Sequence, residues 1–255
     1  MLVNGLALLL SLAIMFMGEL IPNETKKVYI EKGLSWKKVI LYSNLSGLFA
    51  GLISIVSISI TKMPDTMFPP LLVIAVTITS YITTQSVMTD MKTHLINRNI
   101  LRVAYLTMYL IGIFNIVANE ELRANWLPLL FFTVVLIIIF IFIPIGPSDV
   151  RAIAVGVPYV LSIGGFIAIQ LLIVSLLFVA IAMTYKRMKL LKPKVEEMKL
   201  SQVEIYEEMG EKDFNKAAKK VAWKTFNESE EYAMPVGPFM IIPFLIYLTI
   251  YPFFI

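Results

Sequence analysis

Two aspartates, Asp90 and Asp149, are the residues whose type and surroundings favour chemistry. Each one stands directly against an apolar segment, 69–89 before Asp90 and 152–182 after Asp149. Two carboxylates brought together in a partly dry site cannot both ionise, so the pair shares one proton. The ionised member can take a proton from water while the protonated member polarises a carbonyl group. The pair therefore indicates an aspartyl hydrolase, although a helix cap or a solvated boundary position also explains either aspartate alone.

Few other catalytic groups are available in the 255 residues. Cysteine is absent, which excludes disulfides, cysteine-bound zinc and a thiol nucleophile. The single histidine, His94, leaves little for a Ser-His triad or a histidine metal site and is interpreted as a loop residue. We therefore expect neither a metal nor another cofactor.

The composition is typical of a membrane protein. Hydrophobic residues make up 58% of the chain, charged residues make up 16%, and the mean hydropathy is +0.79. Soluble domains average about 45–50% apolar and about 25% charged residues. The difference excludes a soluble enzyme, a disordered chain and a nucleic-acid-binding domain, so no nucleic acid is expected as a partner.

Several apolar segments are long enough to cross a bilayer, which takes about 20 residues. The clear candidates are 2–18, 39–60, 69–89, 99–118, 126–145 and 235–255. The uncharged stretch 152–182 is either one long tilted helix or two helices joined by a turn at 162–165. Charge favours two helices, because a single helix would put the 11 basic residues of 183–234 outside the cell. The sequence thus predicts an all-α polytopic membrane protein with about eight transmembrane helices.

Basic residues assign the two sides of the membrane. With eight spans, 20 of the 22 Lys and Arg residues are cytoplasmic. They lie in 19–38, in 90–98 with the start of the next helix, in 146–151 and in 183–234. This predicts a multi-pass protein of the plasma or inner membrane with a helical cytoplasmic segment, 183–234, before the last span. The basic cluster at 186–194 is an anchor to anionic lipid, or else a dedicated lipid or substrate site.

Two complete spans separate the aspartates, so both face the same, cytoplasmic side. The 12 residues of 152–163 are too few to cross, since they extend about 18 Å at 1.5 Å per residue. The sixth helix must therefore begin near Ile145, which places Asp149 about one turn inside the membrane boundary. Ionisable groups at that depth are costly and are interpreted as functional. The polar stretch 83–89 before Asp90 either admits water or packs against other helices.

The residues around both aspartates resemble those of the prepilin peptidases, or type IV leader peptidases, and their archaeal preflagellin peptidase relatives. In that family an Asp precedes an apolar pair with Pro-Asp or Pro-Asn, and a later Gly-x-Gly-Asp-x-Lys motif supplies a second Asp. Here Asp90 precedes Leu95-Ile96-Asn97-Arg98, and Asp149, 59 residues later, lies in Gly146-Pro147-Ser148-Asp149-Val150-Arg151. A third match, Met234-Pro235-Val236-Gly237-Pro238-Phe239, is similar to the family's Pro-Phe-Gly-Pro-Phe.

The resemblance implies a peptidase membrane core at 69–255, which includes 183–234, after an N-terminal two-span region at 1–68. It implies an aspartyl endopeptidase that removes the leader of pilin-like or archaellin-like precursors on the cytoplasmic side, with the two aspartates as the catalytic pair. Bacterial members often carry a zinc-binding insert after the first span and also methylate the new N-terminus. Because loop 19–38 is short and lacks cysteine, methyltransferase activity is not expected here.

Six further residues are assigned supporting roles beside the pair: Gly146, Ser148, Arg151, Asn97, Gly237 and Pro238. Gly146 permits a close turn and Ser148 bonds the carboxylate, or both simply start a helix. Arg151 holds the charge of the pair or the substrate carbonyl, or it is a topology anchor. The glycine and proline of the third match break the helix beside the site, or they start a helix with an early proline. Asn97, Ser148 and Arg151 depart from the family pattern, which implies a divergent member.

Two other functions stay open. A cation- or proton-coupled transporter would use the same two aspartates, although transporters usually place such groups near the midplane, between repeated halves. A scaffold that binds pilin-like helices without cutting them is the second alternative. The expected partners are the precursor protein and the lipid bilayer, and formation of a homo-oligomer is compatible with the sequence.

Overall fold

The computed structural model describes residues 1–21, 24–61, 68–93, 96–142, 147–201, 210–228 and 237–253. Within this part of the chain every regular element is a helix, so the all-α class is confirmed. The α-helices are α1 (Leu2–Leu20), α2 (Thr25–Glu31), α3 (Trp36–Thr61), α4 (Pro69–Thr93), α5 (Arg98–Ala118), α6 (Trp126–Phe142), α7 (Pro147–Gly164), α8 (Phe166–Ser201), α9 (Glu211–Glu228) and α10 (Gly237–Ile250). Short 3-10 helices cover Glu120–Asn125 and Tyr251–Phe253.

Five helices in the described residues are long and apolar enough to cross a membrane. They are α1, α3, the Pro69–Asp90 part of α4, α5 and α8. Shorter apolar helices cover Val155–Gly164 in α7 and Ile241–Phe253 at the end of the chain. Helix α6 has 17 residues. Several long apolar helices in one chain are the mark of a membrane protein.

Gly165 divides the long uncharged stretch at the predicted turn. Helix α7 ends directly before this residue and α8 begins directly after it. Gly165 has φ +42°, and its amide donates to the Leu161 carbonyl at 3.1 Å. A left-handed glycine with this bond is a common helix end. Asn125 Nδ2 donates to the Ser162 carbonyl at 2.9 Å, which satisfies a second carbonyl of the last turn. The stretch therefore forms two helices rather than one.

Helix α4 lies at the centre of the helix bundle. Of the residues in its apolar span, 78% are buried, against 44% or fewer in the other four candidate spans. Helices α1, α3, α5 and α10 pack against it. Hydroxyl groups join it to α3, where the Ser46 hydroxyl lies 2.7 Å from that of Ser80 and accepts from Thr84 at 2.7 Å. Thr84 of the polar stretch before Asp90 thus contacts a neighbouring helix.

Helices α5 and α7 run parallel and close together. Gly112 of α5 permits the approach, since a Cβ there would lie 3.0 Å from the Pro158 carbonyl oxygen of α7. One turn further along both helices, Asn115 Nδ2 donates to the Ser162 hydroxyl at 3.2 Å. Because residue numbers rise together along the contact, the first residues of α5 and α7 lie at the same end of the bundle.

Helices α7 and α10 are parallel for the same reason. A Cβ at Gly156 would lie 2.7 Å from Phe244 Cγ, and one at Gly164 would lie 3.3 Å from the Tyr247 hydroxyl. The contacts again advance together along the two helices. Helices α5, α7 and α10 therefore all begin at one end of the bundle.

The chain forms two compact units. The first is Met1–Leu176 with Pro235–Ile255, and the second is Leu177–Met234, which contains the predicted cytoplasmic segment 183–234. Helices α1 and α3 belong to the same unit as α4 and pack against it. In the second unit, α9 buries Phe214 against α8.

Replacing Gly156 by alanine is expected to lower the free energy of unfolding by about 1–3 kcal/mol, because the new Cβ must displace the Phe244 ring. Gly5→Ala is the matched control, since nothing lies within 4 Å of a Cβ at that helical position. The control is expected to leave stability unchanged or to raise it by up to about 1 kcal/mol. Thermal unfolding in detergent measures both variants, and equal stability would contradict the close packing of α7 on α10.

Candidate functional site

Asp90 lies near the end of α4 and is buried, with 4% of its surface exposed. Asp149 is the third residue of α7, so the structure gives the position of its backbone. Its side chain, like those of all residues in 147–154, lies outside the described set. His94 also falls outside the described residues.

The two aspartates are carried at one end of the bundle. Helix α5 begins at Arg98, five residues after α4 ends at Thr93, so the end of α4 and the start of α5 lie together. Helices α5 and α7 run parallel, so the start of α7 is also at this end. The backbones of Asp90 and Asp149 are thus placed on the same side of the bundle, as the count of spans between them predicts.

Gly237, at the start of α10, lies level with Asp149 along the bundle. Asp149 precedes Gly156 by seven residues, and Gly237 precedes Phe244 by seven. Gly156 and Phe244 are in contact on parallel helices. At 1.5 Å per residue, Asp149 and Gly237 both lie about 10 Å from that contact, toward the starts of their helices. Asp90, Asp149 and Gly237 therefore all lie at one end of the bundle.

The other supporting residues of the later motifs are described by their backbones. Gly237 and Pro238 are the first two residues of α10, so this segment starts a helix with an early proline. Ser148 and Arg151 lie in the first two turns of α7, and their side chains are outside the described set. Gly146 lies wholly outside the described residues.

Asn97 is buried and forms hydrogen bonds with both α5 and α1. Its Oδ1 accepts from the amides of Asn99 at 3.0 Å and Ile100 at 3.5 Å, which caps the start of α5. Its Nδ2 donates to Glu19 Oε2 at 3.1 Å. Asn97 thus joins the start of α5 to the end of α1.

Glu19 belongs to this site although its place in the sequence predicts a loop. It lies in the last turn of α1, and 1% of its surface is exposed. Its carboxylate accepts hydrogen bonds from three uncharged groups: the Tyr81 hydroxyl at 3.1 Å, Asn97 Nδ2 at 3.1 Å and Gln85 Nε2. Hydrogen bonds to an ionised carboxylate are stronger than neutral ones, and they offset the cost of removing the charge from water.

Gly18 explains how Glu19 comes to be buried. A Cβ at Gly18 would lie 2.8 Å from Ile100 Cδ1, so the glycine lets the end of α1 lie directly against α5. Helix α1 then continues through Glu19 to Leu20. A small residue followed by an acid at the end of an apolar helix is the signal in the sequence that points to this contact.

Helix α2 covers the same cluster. Lys26 Nζ donates to the backbone carbonyl of Glu19 and lies 5.0 Å from the centre of the Trp36 ring. Tyr29 is fully buried, and its ring stacks on Trp36 with the ring centres 5.4 Å apart. A helix of seven residues is too short to be stable alone, so these contacts hold it in place.

The Tyr29 phenol is the second unexpected member of the site. It is hydrogen-bonded to Thr89 and lies close enough to Glu19 and Asp90 for both carboxylates to interact with it electrostatically. Burial raises the pKa of Tyr29 well above its usual value; the bond to Thr89 lowers it, and the two carboxylates raise it further. The Thr89 hydroxyl also lies 2.8 Å from the Gln85 carbonyl oxygen, to which it donates. Burial and the two carboxylates thus keep Tyr29 in its protonated, neutral form.

Two buried polar atoms next to this cluster have no hydrogen-bond partner among the described residues. They are Gln85 Oε1 and Ser86 Oγ. No three His, Cys, Asp or Glu side chains in the described ranges are grouped to hold a metal ion. Two buried carboxylates with a phenol suit the transfer of protons.

No protein-family model matches the chain, and no curated protein or solved structure is significantly similar to it. The function is therefore inferred from the residues of the site themselves.

Replacing Asn97 by aspartate is expected to lower the free energy of unfolding by about 2 kcal/mol or more, because the helix cap is kept while a second carboxylate faces Glu19. Asn119→Asp is the matched control, since Asn119 caps the 3-10 helix by accepting from the Glu121 amide at 3.1 Å. Denaturant unfolding in detergent compares the two variants. A loss for Asn97→Asp no larger than that of the control would show that the contact with Glu19 contributes little.

Proposed function

We propose that this protein is a membrane-embedded aspartyl endopeptidase that removes the leader peptide of pilin-like or archaellin-like precursors. Asp90 and Asp149 are the catalytic pair in this proposal, and Gly146, Ser148, Arg151, Gly237 and Pro238 have supporting roles. The end of the bundle that carries them faces the cytoplasm in an eight-span arrangement. No cofactor takes part.

The observation that carries the proposal is the burial of Asp90 where several motif-bearing helices begin or end. A carboxylate that is 4% exposed at the end of the central helix is costly to retain without a function. The backbone of Asp149 lies at the same end, level with Gly237. An acid pair must lie at one end of the bundle if its members are to share a proton.

The chemistry requires only groups that this chain has. The ionised aspartate removes a proton from a water molecule, whose oxygen bonds to the carbon of the scissile carbonyl. The protonated aspartate donates its proton to the carbonyl oxygen. When the carbon–nitrogen bond breaks, the aspartate that accepted the water proton gives it to the leaving amine. The other aspartate takes a proton back from a hydroxyl group of the intermediate, so both carboxyl groups regain their starting forms.

The cytoplasmic assignment rests on charge. The segments that contain 20 of the 22 basic residues connect the spans on the side of the two aspartates. The precursor and the lipid bilayer are the proposed partners, and homo-oligomer formation belongs to the same proposal. The short segment 19–38, which has no cysteine, supports peptidase activity without N-methylation.

Asp90→Asn and Asp149→Asn are each expected to lower the rate of cleavage at least about 1000-fold, because an amide can neither accept nor supply the catalytic proton. The assay uses purified protein reconstituted in lipid vesicles with a pilin-type precursor, and gel mobility follows cleavage. Asp213→Asn is the matched control, since Asp213 is exposed on α9. Full activity after either of the first two substitutions would exclude the pair.

The cleaved product is expected to carry an unmethylated N-terminus even when a methyl donor is supplied. Mass spectrometry of the mature protein measures this directly, and methylation by the purified protein alone would contradict it. Precursor that is bound but never cut would favour the scaffold. Coupled movement of protons or cations across the vesicle membrane without cleavage would favour the transporter.

A further inference from the structure

The N-terminal region contacts the segment that carries Asp90 on both of its flanks. Glu19 of α1 accepts from Gln85, five residues before Asp90, and from Asn97, seven residues after it. One carboxylate thus joins the helix that carries the aspartate to the start of the next helix. The spacing between these helices depends on a residue far away in the sequence.

A third contact acts on the neighbour of Asp90. Tyr29 of α2 is hydrogen-bonded to Thr89, and the Thr89 hydroxyl in turn donates to the Gln85 carbonyl. The ring of Tyr29 is held by stacking on Trp36. The tyrosine therefore contacts the turn of α4 directly before Asp90, in addition to the contacts that Glu19 makes.

The chemistry of Glu19 suits this role better than that of an amide. All three groups that donate to its carboxylate are N–H or O–H donors, and a carboxylate is acceptor-only. Glutamine at this position would turn an NH2 group toward one of them, either Asn97 Nδ2 or the groups from α4. Because those groups are buried, one donor would lose its partner and one contact between the helices would be lost.

We propose that Glu19 and Tyr29 are positioning residues for Asp90. They do not react themselves; they hold the flanks of the segment that presents the aspartate to the reacting atoms. The role in catalysis rests on the proposed function, whereas the restraint on Asp90 is a property of the fold. The region 1–68 would then supply part of the active site rather than only two membrane spans.

The absence of cysteine from the chain allows a direct test of the restraint. Asp90→Cys introduces a single thiol at a position that is 4% exposed, so its reaction with N-ethylmaleimide measures local opening. Adding Glu19→Gln or Tyr29→Phe is expected to raise the labelling rate about tenfold or more. Tyr29→Phe changes no charge, so a faster reaction in that variant cannot come from a shifted thiol pKa.

Matched controls separate a local effect from general loosening. Glu31→Gln and Tyr42→Phe make the same chemical changes at exposed positions and are expected to leave the labelling rate unchanged. Ser54→Cys, at a buried position of α3, is expected to stay slow in the Glu19→Gln background. Unchanged labelling of Asp90→Cys in both test variants, or equal acceleration at Ser54→Cys, would overturn the proposal.

The catalytic arm uses the chain with Asp90 intact. Glu19→Gln and Tyr29→Phe are expected to lower kcat for precursor cleavage about 10- to 100-fold with KM changed less than about threefold, since misplacement by about 1 Å has costs of this size. A changed KM with an unchanged kcat would assign the two residues to substrate binding and overturn a positioning role. Absence of cleavage by the unsubstituted protein would remove the proposed function, while the labelling result would still decide whether Glu19 and Tyr29 restrain Asp90.

Discussion

A buried carboxylate needs hydrogen-bond donors, and this need organises the end of the bundle where Glu19 lies. Its three donors come from two other helices, so α1, α4 and α5 must keep their relative positions for the charge to stay satisfied. Loss of any one donor leaves a charged group short of partners in a place that water does not reach, which is far more costly than loss of a surface contact. The cap of α5 and the contact of α2 with the carbonyl of Glu19 are built on the same residue.

The features that could be predicted from the sequence are local ones. Apolar length locates the candidate spans, and two adjacent glycines locate the break at Gly165 because a left-handed residue is needed there. Asp90 stands out because an acid directly after a long apolar run is rare. The common end of Asp90 and Asp149 follows from counting the segments between them.

The features that escaped prediction depend on which helices meet. The apolar run ends at Gly18, so the sequence predicts that Glu19 belongs to the loop 19–38, whereas the helix continues for two more residues. The central place of α4 has no signature of its own, since a helix buried on all sides shows no polar face. Only the two sets of hydrogen bonds made by Asn97 reveal that it is a helix cap tied to Glu19.

Helix α2 has a further consequence, because it covers Asp90 and Glu19 with a fully buried tyrosine. If a polypeptide substrate approaches Asp90 from this side, it binds only to molecules in which this short helix has moved away. Its apparent dissociation constant is then the intrinsic one divided by the open fraction, so a protein that is open one time in a hundred would bind about a hundredfold more weakly than its contacts allow. The stacking of Tyr29 on Trp36 and the contacts of Lys26 set that fraction. The stability of seven residues outside the apolar spans would thus set how tightly such a polypeptide is bound.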